Sequence, residues 1–161
     1  RLGKHLLSNR ARVRKAFAPQ ALKRIEDAIK ASEARHAGQI RFAVEGALDG
    51  RPLLAGQSAR DRALDLFAHL RIWDTEHNSG VLIYLLLADR DVEIVADRGI
   101  HAKVGAAVWK SICAAMEAEF KRGRFEAGVV KGIEAVSRQL AEQFPKQGAG
   151  PNELPDAPVV I

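Results

Sequence analysis

The most hydrophobic stretch of the chain runs from Gly80 to Ala88, GVLIYLLLA, and carries no charge. It is apolar at odd and even positions alike, which fits a central strand covered on both faces. After Asp89-Arg90 the pattern changes. Val92, Ile94 and Ala96 alternate with Glu93, Val95 and Asp97, as in a strand nearer a sheet edge. So few residues separate the two runs that they form a hairpin, and the strands are antiparallel.

Upstream, Gln39 to Glu45 alternates too, with Ile40, Phe42 and Val44 on one side and Arg41, Ala43 and Glu45 on the other. A helix is predicted from Pro19, a residue suited to a first helical position, through Leu22, Ile25 and Ile29 to about Ala37-Gly38. A loop marked by Asp49-Gly50 and Pro52 follows the first strand. Ser58 and Asp61 then have capping-box spacing and open a helix with Leu64, Phe67 and Leu70-Arg71 on adjacent turns. Val104, Val108, Ile112, Met116 and Phe120 recur every four residues and predict one long helix ending near Gly123. A last helix carries Val129, Ile133, Val136 and Leu140. The Pro- and Gly-rich tail after Phe144 is expected to be extended and loosely packed, with Val159 to Ile161 able to dock. The strand–helix–strand crossover is parallel and right-handed. The fold class is therefore α/β: a single-domain α/β/α sandwich with a small mixed sheet that includes a β-hairpin at 80–97. Its parts are a basic N-terminal arm at 1–17, the α/β domain at 18–144 and a C-terminal tail at 145–161.

Charge changes this picture at one end only. Residues 1–25 hold eight Lys and Arg and no acid, whereas the rest of the chain has 17 basic and 20 acidic side chains. The body is mildly acidic, and the net charge of +5 belongs to the arm. Such an arm suits anionic lipid, nucleic acid or an acidic partner, or is a solvated tail. Nucleic acid ranks last, because aromatics are few and no nucleic-acid motif is present. No stretch approaches the roughly 18 apolar residues of a membrane span. The single cysteine, Cys113, sits in an apolar helical pattern and reads as an inert thiol.

Candidate chemistry gathers at the two ends of the sheet. If the first two strands are parallel, Glu45 finishes beside Asp89 and Arg90, at the carboxyl edge where clefts form in open α/β sheets. At the opposite edge, the loop before Gly80 and the end of the third strand bring in Asp74, Glu76, Asn78 and Asp97. Oxygen donors of this kind suit Ca2+ or Mg2+. An EF-hand is excluded, because an apolar strand follows where that loop needs glycine and glutamate. The plainer reading has Asp74 and Asn78 bonding local amides, Asp89-Arg90 as a hairpin turn, and Asp97 at the positive end of a helix. No phosphate-binding glycine loop, Gly-x-Ser-x-Gly elbow or His-Glu-x-x-His motif is present, and no nucleotide cofactor is expected. The five histidines have no ligand spacing.

The sequence His77-Asn78-Ser79-Gly80-Val81-Leu82, the Asp89-Arg90 turn, Val92-Glu93-Ile94, and Phe120-Lys121-Arg122-Gly123-Arg124-Phe125 with Gly128 together resemble the TPM domain family over residues 20–142. That family includes a thylakoid-lumen protein of photosystem repair, a receptor-accessory protein and many bacterial membrane-associated proteins. Here Ser79 is inserted, His77 replaces the usual aspartate, and Ala96-Asp97-Arg98-Gly99 replaces a Gly-x-Gly segment. The family's signal peptide and C-terminal membrane helix are not seen, so the chain looks like a short divergent bacterial-type branch. The resemblance implies an α/β/α sandwich and two rival functions. One is a non-catalytic accessory module that assists assembly or maintenance of a membrane-associated complex, through an unknown protein partner or through the basic arm on an anionic membrane. The other is a divalent-metal-dependent acid phosphatase acting on phosphomonoesters, with Asp74, Glu76, Asn78 and Asp97 on the metal and Arg98 on the phosphate. The expected location is the cytoplasm or the inner face of the membrane. Export stays open, because the sequence begins at Arg1.

Overall fold

The computed structural model describes residues 2–48, 57–148 and 150–161. The Asp49-Gly50 and Pro52 loop lies outside them. The order is α1 (Leu2–Ala16), α2 (Pro19–Ser32), β1 (Gln39–Glu45), α3 (Ala59–His69), β2 (Gly80–Leu86), β3 (Asp91–Ala96), α4 (Arg98–Val104), α5 (Ala106–Lys121), α6 (Phe125–Gln143) and β4 (Val159–Val160). The sheet order is β3-β2-β1-β4, with β1 parallel to β2 and β4, and β3 antiparallel to β2. This is the mixed α/β sandwich expected from the sequence.

The two faces of the sheet bury different layers. Ile40, Phe42 and Val44 of β1, with Val81, Ile83 and Leu85 of β2, pack under α1, α2, α4, α5 and α6. Ala43, Leu82, Tyr84 and Leu86 face α3 and the segment around Ile72 and Leu154. The alternation read from β1 thus sorts its side chains correctly, and both faces of β2 are buried.

Five features differ from the sequence reading, four of them in the helices. The basic arm is helical through Ala16, and Val13 and Phe17 enter the core at its end, so the arm is anchored rather than a free tail. α2 stops at Ser32, several residues before Gly38. The predicted long helix is two helices, because Gly105 takes φ +88° between α4 and α5. The apolar spacing continues across this break, so it gives no sign of it. In α3 the buried side is Ala59, Ala63 and Leu66, and Leu64 is exposed, because the small alanines let the helix lie close to the sheet. The capping box at Ser58 and Asp61 forms as expected, with Asp61 N–H donating to Ser58 Oγ at 3.0 Å.

The C-terminal segment is packed where the sequence predicted looseness. Leu154 and Asp156 are buried, Leu154 N–H donates to Gln39 Oε1 at 3.1 Å, and Val159–Val160 pairs with Ala43 and Val44.

Candidate functional site

At the carboxyl edge of the parallel strands, β1 ends at Glu45, opposite Leu86 of β2. The chain then turns through Leu87–Asp89 in a short 3-10 turn, with Arg90 in the left-handed region at φ +51°. Glu45 is 7% exposed and points to the α3 face. Its carboxylate accepts Arg62 Nε at 2.9 Å, Arg62 Nη2 at 3.3 Å and the Tyr84 hydroxyl at 2.7 Å. Burial and the Glu45 charge push the Tyr84 phenol well above its ordinary range. Asp89 and Arg90 are exposed and border a cavity of about 730 Å3 on the opposite face, shared with Arg12 and Lys15 of α1. Glu45 therefore shares a sheet edge with Asp89 and Arg90 but not a face. Its pairing with Arg62 and Tyr84 is a structural network that uses three of the carboxylate's roughly four lone-pair sites.

At the other edge, Asp97 caps α4, accepting Arg98 N–H on Oδ1 at 2.7 Å. Its Oδ2 is buried and has no hydrogen-bond partner among the described residues. Asn78 takes φ +51°, which asparagine tolerates better than most residues. The main-chain oxygens of His77 and Asn78 press against Gly99, where a Cβ would lie 2.2 and 2.7 Å from them. Only glycine permits that approach, so Asn78 and the start of α4 are held together. Asp74 and Glu76 are exposed. Asp74 pairs with Arg71 at 3.3 Å, and the Glu76 carboxylate lies 3.9 Å from His77 Nε2. Arg98 is exposed. Among the described residues no three His, Cys, Asp or Glu side chains form a group that could hold a metal ion.

No nucleophile with a matching base appears among the described residues. Burial, with Glu93 and Glu117 nearby, pushes the Cys113 thiol up to about 12, so it stays protonated and inert. Ser32 Oγ lies 3.1 Å from His36 Nε2, but the hydroxyl donates to Ile29 C=O at 2.8 Å. The imidazole must then donate to the serine, the reverse of a general base, and both residues are 1% exposed. Spacing in the sequence had not singled out this pair.

The model of the TPM domain matches residues 13–139. The chain belongs to the TPM domain family. The BA42 protein of the psychrophilic bacterium Bizionia argentinensis is 31% identical and superposes with a TM-score of 0.78, over 89% of this chain and 94% of that one. The N-terminal domain of a protein from P. gingivalis is 19% identical with a TM-score of 0.63, over 80% of this chain and 78% of that one. That second likeness concerns the fold alone. No curated protein matches the chain. Within this TPM domain the Phe120 to Phe125 element joins α5 to α6. Gly123 takes φ +75° at the turn, and the two rings stack with centroids 5.8 Å apart.

Proposed function

We propose that this TPM domain is a non-catalytic accessory module that docks on an anionic membrane surface through α1 and there assists a membrane-associated complex. One observation carries the reading: α1 is a cationic helix fixed to the body. Arg10, Arg12, Arg14 and Lys15 are exposed, no acid lies in the helix, and Leu7 is 65% exposed. Val13 and Phe17 anchor its end, and Asn9 Nδ2 and Arg12 Nη1 donate to the carbonyls of Ala47 and Gly46 at 3.3 and 3.4 Å. Arg12, Lys15 and Arg90 border the adjoining cavity with Asp89 as its acid, which supports contact with phosphate headgroups. No described helix is long and apolar enough to cross a membrane. Each basic side chain near an anionic surface contributes about 1 kcal/mol. Vesicles containing phosphatidylserine should therefore sediment the intact chain at low salt, and the Arg10→Gln/Arg14→Gln/Lys15→Gln variant should lose about a hundredfold in affinity. Equal sedimentation of the two proteins would reject docking through α1.

A second reading, a divalent-metal-dependent phosphatase, is favoured by the buried, unpartnered Oδ2 of Asp97. Asp97 and Asn78 have the oxygen chemistry that Ca2+ or Mg2+ takes, and the exposed Arg98 would hold phosphate in its planar fork. Asp74 and Glu76 would have to leave their present positions to join them. A bound cation would polarise the phosphoryl oxygen. Calcium or magnesium should then shift the amides of residues 74–78 and 97–99 in the wild type and not in Asp97→Asn. Absence of localised shifts removes this reading.

A further inference from the structure

The cavity of about 730 Å3 beside α1 lies at the carboxyl ends of β1 and β2, where open α/β sheets place their ligands. A volume of this size holds a small polar ligand. Its charged lining is Arg12 and Lys15 of α1, with Asp89 and Arg90 of the turn after β2. Arg12 and Lys15 are three positions apart, so they share one side of the helix. All four side chains are exposed, and among the described residues none of them is in an ion pair. Each charge is therefore available to a ligand.

The frame that carries these charges is fixed. The carbonyl of Gly46, just past the end of β1, accepts Ala88 N–H at 2.9 Å and Arg12 Nη1 at 3.4 Å. One oxygen thus ties Arg12 to the turn that bears Asp89 and Arg90. Arg90 N–H donates to Leu87 C=O at 3.0 Å and closes that turn. Arg90 is left-handed at φ +51°, a conformation that glycine or asparagine takes more easily. Residues kept in such a conformation gather at functional sites.

The balance of charge selects the ligand. Three cations against one acid leave a net of two positive charges. A ligand with two anionic groups and one cationic group matches all four side chains. The headgroup of a serine phospholipid has that set: a phosphodiester, a carboxylate and a primary ammonium. Arginine forks suit phosphate and carboxylate, and the ammonium gives Asp89 a charge-assisted hydrogen bond. A glycerol headgroup offers Asp89 only a neutral hydroxyl, and a bare phosphate offers it no cation.

We propose that this cavity takes the phosphoserine headgroup of a membrane lipid, with its phosphate and carboxylate on Arg12, Lys15 and Arg90 and its ammonium on Asp89. The site rests on docking through α1 and adds to it a choice of lipid. Charge alone gives no such choice, because phosphatidylserine and phosphatidylglycerol in equal amounts give a membrane the same surface charge.

The test compares the full chain on phosphatidylcholine vesicles that contain equal fractions of either phosphatidylserine or phosphatidylglycerol. Binding to phosphatidylserine should be about tenfold tighter. Asp89→Asn should erase that preference. Arg90→Gly, which eases the left-handed turn, should weaken binding to phosphatidylserine several-fold with the amide spectrum of the core unchanged. Soluble glycerophosphoserine should shift the amides of residues 12–15 and 87–90. Equal binding to the two vesicles, with the α1 substitutions still weakening both, would overturn the headgroup site and leave α1 docking in place. A preference that survives Asp89→Asn would overturn it too. If neither vesicle binds, α1 docking falls and the soluble headgroup decides the cavity: shifts at those amides retain the site, and their absence overturns it.

Discussion

Glu45 shows how far a single residue can be read from sequence. Its place at the end of β1 follows from the alternation, and its proximity to the β2 turn follows from parallel pairing. Its partners do not, because Arg62 and Tyr84 lie 17 and 39 positions away and meet it only after α3 has folded onto the sheet. Removing one member of a buried ion pair leaves an uncompensated charge, which costs about 3–5 kcal/mol. Glu45→Ala should therefore cost about 3 kcal/mol in urea unfolding, and Tyr84→Phe about 1 kcal/mol for the lost hydrogen bond. An unchanged midpoint in Glu45→Ala would show that the network contributes nothing to the fold. Asp97 is the contrasting case. Its helix-capping role was legible from Asp97-Arg98-Gly99 as the entry to a helix, but the burial of its second oxygen was not.

Elements were legible where side-chain period and burial agree. β1 and β3 follow the alternation and β2 its unbroken apolar run, and Pro19 and Ser58 mark their helix starts. The break between α4 and α5 escaped because apolar spacing follows a buried face and is silent about backbone angles. Val104 and Val108 keep the four-residue step across Gly105, so the break between α4 and α5 is carried by φ alone. A Cβ at Gly105 would meet nothing within 4 Å, so the cost of substitution is purely conformational. Gly105→Ala should lower stability by about 1 kcal/mol, measured as a reduced urea midpoint with an unchanged slope. Stabilisation would mean that α4 and α5 can merge into one helix. α1 was missed for a related reason. Its density of positive charge marks it as polar, and only Val13 and Phe17 record that its end is anchored.

At the scale of the molecule, the C-terminal segment closes the sheet edge and brings charged groups together under it. Burial and the hydrogen bond to Asp156 raise the Glu33 carboxyl to about 8, while burial lowers His36 to about 4. The signs oppose each other. His36 binds its proton more readily when unfolded, so its contribution is complete above about pH 6.5 and is lost as pH falls toward 4. Glu33 holds its proton more tightly when folded, so its contribution is complete below about pH 4.5 and is lost as pH rises toward 8. Between pH 6.5 and 8 only the Glu33 effect remains, and of these two groups it alone should lower stability as pH rises. Denaturation midpoints in that window should fall for the wild type and stay flatter for Glu33→Gln; parallel slopes would contradict the assignment. Sequence reading gave the division into an acidic body and a basic N-terminal region, which is a sum over residues. It gave neither the rigid mounting of that region nor the docked tail, which depend on contacts between distant segments.

Amide NMR of the full chain with bicelles, once with anionic lipid and once with zwitterionic lipid alone, tests α1 docking most directly. The predicted result is a set of shifts at residues 7–15 and Arg90, present with anionic lipid, suppressed by added salt and absent with zwitterionic lipid. Shifts elsewhere on the surface, or none at all with anionic lipid, would contradict docking through α1.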